Sequence, residues 1–229
     1  MIRLAVTGTD TGVGKTVVST AIVARMRALG LRVAAMKPAE TGRAPDDEAS
    51  DAALLRAAAG AVDAIEAVRP LLLPEPLAPW VAAERAGVAI DLDAMDAAFH
   101  RLSAGRDAVV VEGAGGVLVP ITRDLAYDGL FARWELDLVI VAGNRLGVLN
   151  HALLTLRAAQ AAGLRVRGIV LNALSADGGA GVAEGTNLAA LRTLAGPVPV
   201  LPFPWLGDAP MPDALARAAA DAGLDALWA

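Results

Sequence analysis

The sequence contains no cysteine. That absence removes disulfides, cysteine-ligated zinc, iron–sulfur clusters and thiol catalysis together, and it fits a reducing compartment. Aromatic residues make up only 3% of the chain against 55% hydrophobic residues overall, so the core has to be assembled from Ala, Val and Leu. No apolar run approaches the roughly eighteen residues needed to cross a bilayer. The opening stretch, residues 1–8, is broken by glycine too soon to read as a secretion signal; a cytoplasmic chain without a membrane partner is expected. An excess of positive charge is missing as well. The net charge of -5 argues against a nucleic-acid partner, which would call for a basic face.

The shortage of lysine is more informative. The chain carries 18 Arg but only two Lys, Lys15 and Lys37. Where arginine supplies nearly every positive charge, a retained lysine marks a place that needs a compact ammonium on a slim stem and would not fit a planar fork. Both lysines are therefore candidates for chemistry.

What is present is a regular alternation of short β-rich runs with Ala/Leu/Arg-rich helical stretches, the pattern of βαβ units around a parallel sheet. The length of 229 residues suits one domain spanning residues 1–229. Strands are predicted over residues 2–7, 32–37, 108–112, 138–142, 166–172 and 198–202. They are almost wholly apolar, as expected of strands covered on both faces. Helices are predicted over residues 15–28, 47–59, 92–103, 149–162, 185–194 and 212–222, with Gly30 closing the first. Residues 69–79 hold four prolines and read as a loop, and Gly178-Gly179-Ala180-Gly181 reads as a flexible surface turn. The expected fold is α/β of the P-loop NTPase type, a mostly parallel sheet with helices on both faces.

The most specific segment is Gly8-Thr9-Asp10-Thr11-Gly12-Val13-Gly14-Lys15-Thr16, between the first strand and the first helix. Glycines let backbone N–H groups converge on phosphate oxygens, and the helix N-terminus adds its dipole. Lys15 would reach the β/γ-phosphates and the Thr16 hydroxyl would ligate Mg²⁺. Five residues separate Gly8 from the Gly14-Lys15 pair where the strict pattern has four, so this is a variant loop one residue longer.

Lys37 ends the second strand, at the sheet edge that carries this loop and faces the ligand crevice. Two ammonium groups there would neutralise a phosphoryl group in transfer and an anionic acceptor. Glu112 closes another strand and runs into Gly113-Ala114-Gly115-Gly116-Val117, which places its carboxylate as the acidic partner sharing Mg²⁺ with the loop hydroxyl. Asp51, in the helix after the Lys37 loop, is either a further ligand or a residue that favours its helix N-terminus.

Taken in order, these segments resemble the dethiobiotin synthetase family. The resemblance rests on residues 8–16, on Lys37-Pro38-x-x-Thr41-Gly42, on Ser50-Asp51-Ala52 and on Glu112-Gly113-Ala114-Gly115-Gly116. It continues through Leu146-Gly147-x-x-Asn150-His151 to Pro204-Trp205-Leu206. It implies a ligase that uses Mg²⁺ and ATP to close a cyclic urea on 7,8-diaminononanoate. CO2 is taken up as a carbamate, ATP phosphorylates the carbamate, and the second amine displaces phosphate.

By resemblance, the nucleotide lies on Gly12, Val13, Gly14, Lys15, Thr16 and Val17, with Asp51, Glu112, Gly113, Ala114 and Gly115 beside it. Asn172, Pro204, Trp205 and Leu206 surround the adenine. Thr16, Asp51 and Glu112 hold the metal, and Lys15 and Lys37 act on phosphate and carbamate. Thr11, Lys37, Thr41, Gly116 and Val117 contact the diamine. The resemblance also implies a homodimer with its site at the subunit contact, where Leu146 and Asn150 reach the neighbour's substrate. The chain departs from some members at Gly12, where they carry an acid, and at Thr41, where they carry Ser. Ala173 also stands where some have an acid, a change that bears on selectivity for ATP over other nucleotides.

His100 and His151 sit in helical stretches without a metal-ligand partner at helical spacing and are read as structural. The four tryptophans are read as packing, with a lid role open to Trp80. The rival reading is a P-loop switch ATPase of the partition or septum-site type, which carries an extra lysine four residues before the invariant one; here that position is Thr11. A cobyrinate-type amidating synthetase would need a glutaminase cysteine.

Overall fold

The computed structural model describes residues 1–176, 181–207 and 210–229; of the turn read at residues 178–181, residues 178–180 lie outside them. Nearly continuous Val/Ile/Leu/Ala runs form a six-stranded sheet whose paired strands all run parallel. Its strands are β1 (Ile2–Gly8), β2 (Val33–Met36), β5 (Ala108–Gly116), β6 (Asp137–Gly143), β7 (Val166–Asn172) and β8 (Val200–Phe203), in the spatial order β2-β5-β1-β6-β7-β8. Two short strands, β3 (Ala39–Thr41) and β4 (Leu71–Leu73), form a separate parallel pair.

Helices cover both faces. On one side α1 (Lys15–Ala28), α2 (Asp51–Ala58) and α9 (Pro212–Asp221) bury Ile22, Met26, Leu55 and Leu215 against Leu4, Val6, Val110 and Val139. On the other, α5 (Leu92–Ser103), α6 (Tyr127–Arg133) and α7 (Val148–Ala161) bury Phe99, Phe131, Trp134 and Leu156 against Val109, Val111 and Ile140. The few aromatics concentrate on this second face, where Phe99 and Trp134 stack with centroids 4.4 Å apart. Burying each such large side chain contributes on the order of 1.5–3 kcal/mol. The remaining helices are α3 (Ile65–Val68), α4 (Pro79–Ala86) and α8 (Val182–Leu194), with a 3-10 turn at Leu224–Leu227. Among the described residues no helix is long and apolar enough to cross a membrane.

Several expectations need correction. The segment over residues 69–79 is not all loop: it supplies β4, and Pro79 opens α4 at a first-turn position that needs no N–H. Trp80 is therefore helical, and its backbone N–H donates to the Pro120 carbonyl at 3.2 Å. The helix expected from residue 47 starts at Asp51, because Ser50 is its cap and accepts from the Ala53 N–H. Lys37 lies one residue beyond β2 rather than within it. The helix expected from residue 185 starts at Val182.

Close approach of β1 and β5 explains two of the glycines. Gly8 pairs with Gly116 across a register shift. A Cβ on Gly8 would lie 2.7 Å from the Asp10 carbonyl and 3.1 Å from the Gly115 carbonyl. The loop after β1 and the turn ending β5 are thereby pressed together at one rim of the sheet.

Candidate active site

That rim gathers residues from four elements. Thr16 stands in the first turn of α1, Lys37 follows β2, Asp51 is the first residue of α2, and Glu112 and Gly113 belong to β5. The Thr16 hydroxyl donates to Asp51 Oδ1 at 2.8 Å or to Glu112 Oε1 at 3.1 Å. Lys37 Nζ donates to Asp51 Oδ2 and Glu112 Oε1, both at 2.6 Å, and to the Gly113 carbonyl at 3.2 Å. Lys37 is 3% exposed and Glu112 is fully buried. Lys15 is also buried, and its Nζ curls back over the loop to the Asp10 carbonyl at 3.3 Å.

These charges set one another's ionisation. Burial disfavours the Lys37 ammonium, but Glu112 and Asp51 more than reverse that and raise its pKa above the ordinary lysine value. Burial likewise works against the Asp51 carboxylate, yet Lys37 and the Thr16 hydroxyl pull its pKa below the usual range. Glu112 is pushed up by burial, which Lys37 does not fully offset. Lys15 is held below its ordinary value by burial, with Glu112 as the main counterweight.

The α1 N-terminus is built to receive an anion. Its N-cap, Gly14, has a left-handed φ of 84°; no side chain caps it and its first turn holds no acid. By contrast α2 and α5 carry Ser50 and Asp91 caps. First-turn N–H groups left without side-chain acceptors are suited to phosphate. Asn172, at the end of β7, braces the loop from below: its Nδ2 donates to the Val13 carbonyl at 3.0 Å. A Cβ on Gly14 would come within 2.1 Å of that Nδ2. Gly14→Ala is therefore expected to cost at least about 1–3 kcal/mol of stability from the left-handed backbone alone. Denaturant unfolding checks this, and an unchanged midpoint would count against it.

The donor set also suits a hard divalent cation. Two carboxylates and a hydroxyl are all-oxygen ligands, and Mg²⁺ is commonly held by one or two carboxylates with the rest of its shell from water and phosphate. Among the described residues Glu112 Oε2 is buried with no hydrogen-bond partner, an exception for a buried carboxylate oxygen that a cation would relieve. Among the described residues no cluster of three or more His, Cys, Asp or Glu forms a richer metal site.

The structure brings Lys15, Thr16, Lys37, Asp51, Glu112 and Gly113 to one point. Thr11 is exposed beside Gly115, and Gly12 is exposed, whereas Val13 is buried and Val17 half-buried in the loop and helix. Ala114, Gly115 and Gly116 are half-buried in the end of β5 against Gly8, and Val117 behind them is buried. Thr41 lies to the side, in β3, half-buried. Leu146 and Asn150 are not in the cluster. They are exposed at the start of α7, Leu146 by 82%. Pro204, Trp205 and Leu206 follow β8, and Pro204 and Leu206 line a groove of about 670 Å³ with Ala173 and Leu188. A second groove of about 670 Å³, floored by Ile90, Met95 and Leu102, contains none of these residues.

Sequence reasoning missed two supporting contacts. Arg145 donates to Asp10 at 2.8 Å and so ties the phosphate loop to the segment before α7. Glu40 and Arg69 form a buried ion pair at 2.9 Å next to α2. Nothing in local pattern separates either from solvated charge; for Glu40 the one signal was a carboxylate placed three residues after Lys37 in a short apolar run.

A family model described as an AAA domain matches residues 3–218. The ATP-dependent dethiobiotin synthetase BioD of Anaeromyxobacter dehalogenans (strain 2CP-C) is 42% identical over 91% of this chain and 92% of its own length. The protein of the same name from Xylella fastidiosa (strain 9a5c) is 40% identical over 90% of this chain and 88% of its own. Among solved structures, the MinC:MinD complex of Aquifex aeolicus superposes with a TM-score of 0.57 at 15% identity, covering 99% of this chain and 94% of that one. The septum site-determining protein MinD of Pyrococcus horikoshii OT3, complexed with Mg-ADP, superposes with a TM-score of 0.54 at 16% identity, covering 99% and 95%. At such identities these structures speak to the fold, a P-loop NTPase-like α/β sheet, and not to activity. With the relatives matched along almost their whole length, the chain belongs to the ATP-dependent dethiobiotin synthetase family.

Proposed function

We propose that this protein is an ATP- and Mg²⁺-dependent cyclo-ligase that makes dethiobiotin from 7,8-diaminononanoate, CO2 and ATP. One amine of the diamine adds to CO2, loses a proton and becomes a carbamate anion. A carbamate oxygen attacks the γ-phosphorus, ADP leaves, and a mixed carbamic–phosphoric anhydride remains. The second amine then attacks the carbonyl carbon, inorganic phosphate leaves, and the ring closes as a urea.

The structural observation that carries this reading is the meeting of Lys37, Thr16, Asp51 and Glu112 within hydrogen-bonding distance at the loop rim. The nucleophile is an anion approaching a polyphosphate, so the site has to supply positive charge on both sides of the transferring group. Lys15 and Lys37 supply it from the chain. Thr16, Asp51 and Glu112 would hold Mg²⁺, which when bound neutralises phosphate charge. The uncapped turn of α1 with Gly12, Val13 and Gly14 cradles the phosphates, and the groove at Pro204 and Leu206 takes the base. Thr11, Thr41, Gly116 and Val117 contact the diamine.

A homodimer accounts for the exposed Leu118, Leu146 and Leu154 as a contact face beside the site, with Asn150 offered to the neighbour's substrate. The protein acts in the cytoplasm and takes no nucleic-acid or membrane partner.

The direct test is to incubate the protein with Mg-ATP, bicarbonate and the diamine and to follow the cyclic urea by mass alongside ADP. One ADP per urea is expected. ATP hydrolysis without the urea, stimulated instead by DNA or lipid, would favour the switch-ATPase reading. Sedimentation should give a dimer, and Leu146→Asp is expected to shift it toward monomer; a wild-type monomer at micromolar concentration would remove the shared site.

A further inference from the structure

We propose that Glu40, locked in place by Arg69, is the positioning residue that sets the Asp51 carboxylate at the rim. The inference rests on the reading of Asp51 as a metal ligand given above.

Asp51 is the first residue of α2, so its side chain goes where the N-terminus of that helix is held. The connector leading to it, residues 42–50, is mostly exposed and has little packing of its own to fix that position. Two buried acceptors serve the first turn of α2 instead. Ser50 Oγ accepts from the Ala53 N–H and Glu40 Oε1 accepts from the Ala52 N–H, both at 3.3 Å. The Ser50 cap moves with the helix. The Glu40 cap does not, because Glu40 belongs to β3, whose pairing with β4 is in register at Ala39 with Leu71, Glu40 with Leu72 and Thr41 with Leu73.

Arg69 completes the frame. One arm of its guanidinium donates to Glu40 Oε2 at 2.9 Å, and the other donates to the Pro45 carbonyl at 2.9 Å, in the middle of the connector. A planar fork can serve two acceptors at fixed separation; an ammonium cannot do so with the same geometry. The two side chains are only 5% and 3% exposed. A buried ion pair gains little stability over an apolar pair of the same size, so its presence is better explained by geometry than by stability. Here one guanidinium joins β3, the connector and the segment before β4, and the carboxylate it holds carries that frame to the residue beside Asp51. This is the arrangement by which groups behind a metal ligand orient it, and removing such a group typically weakens metal binding by about 10–100-fold.

The test reads metal affinity apart from turnover. Mn²⁺ is titrated into the full-length protein with a non-hydrolysable ATP analogue and followed by electron paramagnetic resonance, with thermal melts in parallel. Glu40→Ala is expected to weaken Mn²⁺ about 10-fold, while Glu40→Gln, whose single oxygen can serve the Ala52 N–H or Arg69 but not both, should fall between Glu40→Ala and the parent. Asp51→Asn is the reference and should weaken Mn²⁺ at least as much as Glu40→Ala.

If Asp51→Asn weakens Mn²⁺ but a cooperatively melting Glu40→Ala binds it like the parent, Glu40 is only a stabilising residue and the proposal fails. Parental affinity in Asp51→Asn removes the metal reading and the proposal with it. Should Glu40→Ala not fold, Arg69→Lys decides. It keeps the charge but loses the fork, and it is expected to weaken Mn²⁺ about 3–5-fold; a folded Arg69→Lys protein with parental affinity overturns the proposal.

Discussion

Lys37→Ala is expected to lower turnover at least ~100-fold and, unlike most active-site substitutions, to weaken the metal-free fold as well. Both effects come from the position of one ammonium. In the absence of metal it stands 2.6 Å from each of two carboxylates, one of them fully buried. Removing it leaves like charges facing each other with only the Thr16 hydroxyl between them. Breaking one side of a buried pair costs on the order of 3–5 kcal/mol.

Divalent cations should then rescue stability, because an ion taken up by the same oxygens replaces the missing charge. Scanning calorimetry with EDTA and with Mg²⁺ should show a larger metal-induced rise in Tm for Lys37→Ala than for the parent. Lys37→Arg should also be slow, since a broad guanidinium cannot take the place of a point charge donating to two carboxylates and a carbonyl at once. Near-parental turnover in Lys37→Ala would defeat the two-lysine reading. An active Lys37→Arg enzyme would reduce the retention of this lysine among 18 arginines to coincidence.

The scarcity of lysine was legible because it is a property of composition, and it led to two side chains that are both buried at one rim. The phosphate loop, the places of the long strands along the chain and the first helix were legible for a related reason: each has a local signature, glycine spacing or a continuous apolar run, that does not depend on distant partners. The start of α2 was not. Asp46, Asp47 and Glu48 look like the acidic first turn of a helix, but Asp47 instead closes a turn on itself by accepting from the Ala49 N–H, and Ser50 takes the cap.

Strands β3 and β4 are three residues each, too short for periodicity to register, and they exist because each is the other's partner. The commitment of Lys37 to Asp51 and Glu112, across 14 and 75 residues of chain, is a product of the parallel order β2-β5-β1, which no local pattern encodes. The same holds for Glu40 and Arg69, whose charges read as solvated until the fold buries them together.

Lys15→Ala should match Lys37→Ala in lost turnover, at least ~100-fold, and differ from it in stability. The Lys15 ammonium is buried and donates to a neutral carbonyl at 3.3 Å, and among the described residues no carboxylate lies within ion-pair distance of it. Burial holds its pKa below the ordinary lysine value. The sign follows from linkage: a lysine whose pKa is lower folded than unfolded disfavours the fold at pH values below its unfolded pKa, neutral pH included. Replacing it with alanine removes that cost along with some packing of its stem, so stability should move by no more than about 1 kcal/mol in either direction. The charge is held ready for an anion instead of being spent on a neighbour. Nucleotide binding should register the difference: ATP affinity measured by calorimetry should fall in Lys15→Ala, and the stabilisation by ATP should fall with it. If Lys15→Ala instead destabilises the free protein as much as Lys37→Ala does, the two lysines share one structural role, and the division between a committed and a free ammonium is wrong.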